Sequence, residues 1–168
     1  IMPLLMMEGW TMEDGIRVNK EAWPEDVQNH LITGMDLFED ELGFRPTGMW
    51  PSEEAVSPAM VQPVKDVGIE WMVTDEEILK QSTNRNGDYI DVEDVTNLAT
   101  PWKVTGADGG EVAVIFRDRV ISDRIAFQYG TMTPEAAVSD FIAYLDNIRQ
   151  QLLDAGEDPS EHLLTVAL

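Results

Sequence analysis

Apolar residues recur along the chain in two different patterns. Between residues 27 and 42 they return at steps of three to four, as Val27, Leu31, Met35, Phe38 and Leu42. This spacing predicts an amphipathic helix that ends at Gly43. Between residues 111 and 116 the apolar residues instead form a short continuous run, which predicts a buried strand.

The same criteria predict the remaining elements. Further strands are expected at 2–6, 69–73 and 162–168, and residues 46–50 lead out of a turn toward Trp50. Ser57-Pro58 is expected to start a helix that runs to about Val67, with Ser57 as its cap and Pro63 as a kink or early stop. Thr133-Pro134 starts the longest predicted helix, which ends near Gly156.

Apolar strands that alternate with helices predict a parallel sheet with crossover helices, either an open sheet or an arc of a barrel. Residues 1–168 are therefore interpreted as a single α/β domain. Residues 81–110 differ from the rest because Asn, Asp, Gly and Thr break them into short pieces. We interpret this stretch as a loop-rich insertion, with a hairpin around Asp108-Gly109-Gly110.

Composition narrows the classes of partner. The net charge is -21, from 32 acidic and 11 basic residues. This charge argues against nucleic acid or an anionic membrane surface and favours a neutral substrate. Dense carboxylates with only four lysines indicate either a protein kept soluble at high salt or an ordinary acidic surface. The absence of cysteine excludes disulfides and thiolate zinc sites.

Polar and aromatic side chains follow three of the predicted strands. They are Trp50 with Glu53, then Asp75, and then Arg117 with Asp118. In a parallel α/β arrangement the carboxyl ends of strands share one rim, where active sites form. Two carboxyl groups at such a rim suit glycoside hydrolysis, and a Trp face suits a sugar ring. Acidic residues are so frequent here that the pattern alone leaves a chance arrangement open.

Three segments together resemble glycoside hydrolase family 57. They read GMWPSEEAVS, IEWMVTDEEIL and VIFRDRVISDRIAFQYG, and they occur in the family's order across nearly the whole chain. The resemblance is to the amylopullulanase and α-amylase-like branch. It implies the central part of a catalytic domain with a (β/α)7-type barrel. The chain begins with Ile and ends before a further family motif, so an incomplete barrel is expected.

The resemblance also implies roles for individual residues. Glu53 matches the family's nucleophile and Asp118 its acid/base in retaining cleavage of α-glucosidic bonds, which needs no metal or organic cofactor. Such enzymes hold the two carboxyl groups roughly 5–5.5 Å apart. Arg117 would orient a carboxylate or bind a sugar hydroxyl, and Asp75 would bind sugar hydroxyls. Asp123 is a further substrate-binding residue and the reserve candidate for the acid/base.

Simpler interpretations stay open for the same residues. Glu53 could be a first-turn acid favoured by a helix dipole, and Asp118 could cap a helix that starts near Val120. Arg117 could serve only in a salt bridge, and Trp50 could be core packing instead of a sugar platform.

The predicted function is retaining hydrolysis of α-glucans such as starch. The alternatives are glucan transfer, by branching or 4-α-glucanotransfer, and a non-catalytic carbohydrate-binding fragment. A metal-dependent deacetylase is disfavoured by having only two, widely separated histidines. A truncated barrel would expose sheet edges, which favours self-association. No signal peptide is visible, so the compartment stays open with the cytoplasm favoured.

Overall fold

A computed structural model describes residues 10–11, 17–18 and 24–168 of the chain. They form two compact units. The first comprises the described residues up to Thr74 together with residues 102–114, and the second comprises residues 75–101 and 115–168. The predicted strand at 2–6 lies outside the described residues. In the first unit, strands β1 (Trp10–Thr11) and β2 (Arg17–Val18) pair antiparallel.

Helix α1 (Pro24–Leu42) confirms the predicted amphipathic helix of the first unit. It ends at Gly43, whose φ of 82° lies in the left-handed region that glycine adopts without steric cost. Val27 and Met35, two positions of the predicted apolar face, are buried. Leu42 is exposed, so the buried stripe is shorter than the sequence pattern.

A four-stranded sheet has the strand order β3-β4-β6-β5. Its strands are β3 (Gly48–Met49), β4 (Trp71–Asp75), β5 (Trp102–Thr105) and β6 (Glu111–Arg117). β3 and β4 pair in parallel, and helix α2 (Val61–Asp66) crosses between them. β5 and β6 pair antiparallel, which confirms the hairpin predicted around Asp108-Gly109-Gly110. The alternating burial of β6 gives the sheet one face packed against apolar side chains.

The helix predicted from Ser57 starts later than expected. Residues Pro58–Met60 form a 3₁₀ turn and α2 begins at Val61. Ser57 makes no capping hydrogen bond, and its buried hydroxyl has no partner among the described residues. Pro63 causes no kink because it lies in the first turn of α2, where its missing amide proton would have had no intrahelical acceptor.

The second unit is mainly helical. Helices α3 (Glu76–Lys80), α4 (Val95–Leu98), α5 (Arg119–Asp123) and α6 (Pro134–Asp154) are joined by turns, and a π-helical turn spans Arg124–Gln128. The helix predicted from Thr133-Pro134 is confirmed as α6, and the Thr133 hydroxyl caps it by accepting from the Ala136 amide. Val95 of α4 packs with Ile148 and Leu152 of α6.

The strand predicted over residues 162–168 is wrong as a continuous element. The structure has only a parallel bridge between Thr165 and Arg117, together with the bond from the Asp118 amide to the Thr165 carbonyl at 2.9 Å. Leu163 and Val166 are exposed, so the apolar run lacks the two-sided burial of a central strand.

Candidate functional site

The site residues predicted from the sequence fall into two groups, one in each unit. The first unit holds Trp50 and Glu53, and the second holds Asp75, Arg117, Asp118 and Asp123. As predicted, Trp50 directly follows strand β3, Asp75 ends β4 and Arg117 ends β6.

The loop after β3 is a tight turn around a buried proline. Pro51 is fully buried, and its carbonyl accepts from the Glu54 amide at 3.0 Å. The Ser52 carbonyl accepts from the Ala55 amide at 3.1 Å. These bonds close a 3₁₀ turn over Ser52–Glu54, and the Glu53 side chain projects from it into solvent. The turn thus presents one carboxylate on a short, hydrogen-bonded support.

Glu53 and Glu54 both have left-handed backbones, with φ of 55° and 54°. They are the two non-glycine residues with positive φ in the described part of the chain. A left-handed residue with a β-carbon costs about 1–2 kcal/mol, because the β-carbon crowds the following carbonyl. Such strain persists where the surroundings enforce it and is concentrated at functional sites. It also argues against Glu53 being an ordinary first-turn acid of a regular helix.

Trp50 lies beside a groove of about 220 Å³. The groove is lined by His30, Leu31 and Met35 of α1, by Met49 of β3 and by Trp50, which follows β3. Half of the Trp50 surface is exposed, so Trp50 is not a core residue. A half-exposed indole next to an apolar groove offers the flat face that a sugar ring stacks on.

Neighbouring residue Gly48 has a clear steric role in β3. It pairs with Trp71 of β4, and a β-carbon at Gly48 would overlap the Trp71 ring. The missing side chain therefore lets the indole of Trp71 lie against β3 at Gly48, in the strand that precedes the loop carrying Glu53.

In the second unit, Arg117 joins two of the predicted substrate-binding carboxylates. Its Nε donates to Asp75 Oδ2 at 2.8 Å and its Nη1 lies 3.5 Å from Asp123 Oδ1. Nη1 also donates to the Ala167 carbonyl at 3.2 Å. Arg117 is thus a salt-bridge partner, as the simpler interpretation held. The guanidinium ties the end of β6 to the start of α3 and the end of α5.

Asp118 is a buried helix cap, with 1% of its surface exposed. Its Oδ1 accepts from the Ile121 amide at 3.1 Å, which caps α5 and confirms the capping interpretation. Its Oδ2 accepts from the Tyr144 hydroxyl at 2.6 Å. Both oxygens of the predicted acid/base are therefore hydrogen-bonded within the second unit.

Two groups near Asp118 were not predicted as site residues. Burial, and then the hydrogen bond to Asp118, raise the pKa of the Tyr144 phenol well above its ordinary value. Burial also raises the pKa of Glu76, helped by the negative charges of Asp118 and Asp75, although the Arg119 amide that donates to Glu76 opposes this shift. Glu76 directly follows Asp75, the cap of α3, and this position after a strand end is the sequence signal that could have identified Glu76 as a site residue.

Two kinds of feature are absent from the residues that the structure describes. Within them, no group of three or more His, Asp or Glu side chains is placed to hold a metal ion. No helix among them is long and apolar enough to cross a membrane.

Comparison with known proteins identifies the family. The model of Glycosyl hydrolase family 57 matches residues 1–166, so the chain belongs to this family. No curated protein sequence matches it. Among solved structures, the chain resembles the 4-alpha-glucanotransferase from Thermococcus litoralis, with a TM-score of 0.57 at 18% identity.

That similarity covers 83% of this chain but 18% of the glucanotransferase chain, so the chain spans about a fifth of that enzyme's length. At this level of identity the comparison concerns the fold. It confirms the predicted class, an α/β arrangement of parallel strands with crossover helices that forms part of a (β/α)7-type barrel.

Proposed function

We propose that the chain is a retaining glycoside hydrolase acting on α-glucans, with Glu53 as nucleophile and Asp118 as acid/base. The observation that carries the proposal is the turn at Glu53. The chain of a family 57 member places a solvent-facing glutamate in a strained backbone conformation directly after a strand. Strain of this kind is retained where a side chain must be aimed.

Double displacement divides the chemistry between the two carboxyl groups. The Glu53 carboxylate attacks the anomeric carbon, the acid/base protonates the leaving oxygen, and a glycosyl ester forms on Glu53. Water, deprotonated by the same acid/base, then attacks the ester and frees Glu53. Trp50, half exposed beside its groove, supports the proposal as a stacking surface for a glucose ring.

The assigned acid/base is supported by its surroundings. The Tyr144 hydroxyl and the Ile121 amide fix the orientation of the Asp118 carboxyl group. An acid/base needs a fixed orientation toward the oxygen that it protonates, and these two bonds would keep the Asp118 carboxyl group from rotating. Arg117 holds Asp75 and Asp123, which would present oxygen acceptors to sugar hydroxyls.

The test is release of reducing sugar from soluble starch by the full 168-residue chain and by Glu53→Gln. The variant is expected to lose activity by about a thousandfold or more, because no glycosyl ester can form. Glu54→Gln is the matched control, since it removes the same charge from the next left-handed residue of the same turn. It should keep most of the activity. Starch hydrolysis by Glu53→Gln at the unmodified rate, or none by the unmodified chain, would contradict the proposal.

Transfer is the alternative outcome, because the structurally similar enzyme is a 4-alpha-glucanotransferase. If a sugar hydroxyl intercepts the glycosyl ester instead of water, chains lengthen or branch with little new reducing sugar. Chain-length analysis of the products separates the two reactions, and both require Glu53.

A further inference from the structure

We propose that Thr74 is a positioning residue that holds the backbone of the Glu53 turn in its left-handed conformation. Thr74 lies in β4 and its side chain is completely buried. Its hydroxyl donates to the carbonyl of Glu54 at 2.6 Å, across 20 residues of sequence. The inference rests on the proposed function, because it assigns Thr74 to the aiming of the nucleophile.

The bond reaches the turn at its strained point. Glu54 is the second of the two left-handed residues, and its amide already donates to the Pro51 carbonyl at 3.0 Å. With the Thr74 hydroxyl on its carbonyl, Glu54 is held at both ends. The peptide planes on either side of it cannot rotate without breaking one of these bonds. Glu53 lies inside the turn so closed.

This restraint matters because the Glu53 side chain is exposed. A carboxylate with little packing around it depends on its own backbone for its direction. Nucleophilic attack needs the reacting oxygen within a fraction of an ångström of its productive position. A small relaxation of the turn toward an unstrained backbone would therefore slow chemistry more than it weakens substrate binding.

The experiment compares Thr74→Val, which keeps the shape but removes the donor, with Thr74→Ser, which keeps the donor. Thr74→Val should lower kcat on soluble starch by about 10- to 100-fold while KM changes less than about twofold. Thr74→Ser should retain about half of kcat or more. Thr100→Val is the matched control, because the Thr100 hydroxyl makes an equally short bond, 2.6 Å, to the Thr96 carbonyl. Its kcat should stay unchanged.

Hydrogen exchange gives a readout that does not depend on turnover. In Thr74→Val, the amides of Glu54 and Ala55 should exchange faster than in the unmodified chain, and in Thr100→Val they should not. If Thr74→Val fails to fold, as circular dichroism would show, Thr74→Cys, which keeps a weaker donor, should give an intermediate kcat.

The outcomes separate the two proposals. An inactive Glu53→Gln with a fully active Thr74→Val overturns the role of Thr74 and leaves the proposed function standing. Equal losses of kcat in Thr74→Ser and Thr74→Val also overturn the role of Thr74, since packing of the methyl group would then be responsible. A fully active Glu53→Gln overturns both.

Discussion

Removing the Tyr144 hydroxyl should destabilise the protein through Asp118. The hydroxyl donates to Asp118 Oδ2 at 2.6 Å, and Asp118 is 1% exposed. In Tyr144→Phe, one oxygen of a buried carboxylate would lose its partner without gaining water. Hydrogen bonds to charged groups contribute about 1.5–3 kcal/mol, so we expect the free energy of unfolding to fall by about 2 kcal/mol. For a chain of this length, that is roughly 4–8 °C in Tm.

Urea unfolding followed by circular dichroism at pH 7 measures this loss. Tyr89→Phe is the matched control, because the Tyr89 side chain is 75% exposed, and it should change the free energy by less than about 0.5 kcal/mol. In an Asp118→Asn background the Ile121 amide keeps an acceptor but the charge is gone. Tyr144→Phe should then cost about half as much or less, since the bond is no longer charge-assisted.

The pH dependence supplies a second check, because the pKa of Tyr144 is raised in the folded state. Below the unfolded pKa, near 10.0, both states hold the proton and the contribution is fully present. As pH rises through 10, the unfolded tyrosine ionises first and the advantage over Tyr144→Phe narrows. The reasoning is refuted if Tyr144→Phe and Tyr89→Phe unfold at the same urea concentration, or if the difference widens above pH 10.

Three further predictions concern stability. Glu76→Gln should stabilise the protein at pH 7, because the fold raises the pKa of Glu76 and so favours its neutral form. Urea unfolding from pH 4 to pH 7 should show this advantage disappear below the ordinary pKa of 4.5. Arg117→Lys should lower the free energy of unfolding by about 1–3 kcal/mol, measured in urea. A single ammonium cannot replace both the Nε bond to Asp75 and the Nη1 bond to the Ala167 carbonyl. Gly48→Ala should lower the free energy of unfolding by about 1 kcal/mol, and it should shift the fluorescence emission of Trp71 to the red because the added β-carbon displaces the ring. Unchanged emission would contradict the overlap.

The long periodic elements could be predicted from the sequence. The helix at Pro24–Leu42 and the helix at Pro134–Asp154 carry apolar repeats and clear end signals, and the structure has both. The strand at Glu111–Arg117 is a buried run of β-branched and aromatic residues and was also predicted. In each case local pattern and tertiary burial agree.

The failures lie where tertiary contacts decide. Residues 162–168 read as a buried strand, but only Thr165 bridges β6 and neighbouring apolar residues stay exposed. Ser57 has the residue type of a cap but makes no capping bond. Such outcomes depend on what packs beside a segment, which single-sequence patterns do not contain.

In the candidate site, too, some features could be predicted from local sequence and others depend on tertiary structure. Strand-end positions predicted Glu53, Asp75, Arg117 and Asp118 as a group of interest, and the structure places them at or after strand ends. The left-handed backbone at Glu53 could not be predicted, because glutamate gives no signal for positive φ. The bond from Thr74 to the Glu54 carbonyl spans 20 residues and was equally invisible. Their roles in catalysis stay predictions.

Asp118 has a structural role beside the catalytic role proposed for it, and this has a consequence for how relatives of this chain would diverge. If a copy lost its activity, Asp118 would still cap α5 and satisfy Tyr144, so selection for folding alone would preserve it. The opposite holds for Glu53, because an exposed glutamate in a left-handed backbone destabilises the fold, and glycine or asparagine would remove this strain. Drift after loss of function should therefore erase position 53 first. With the roles proposed above, a relative that retains the aspartate but carries glycine at 53 is expected to be inactive, and the aspartate alone would be no sign of an enzyme.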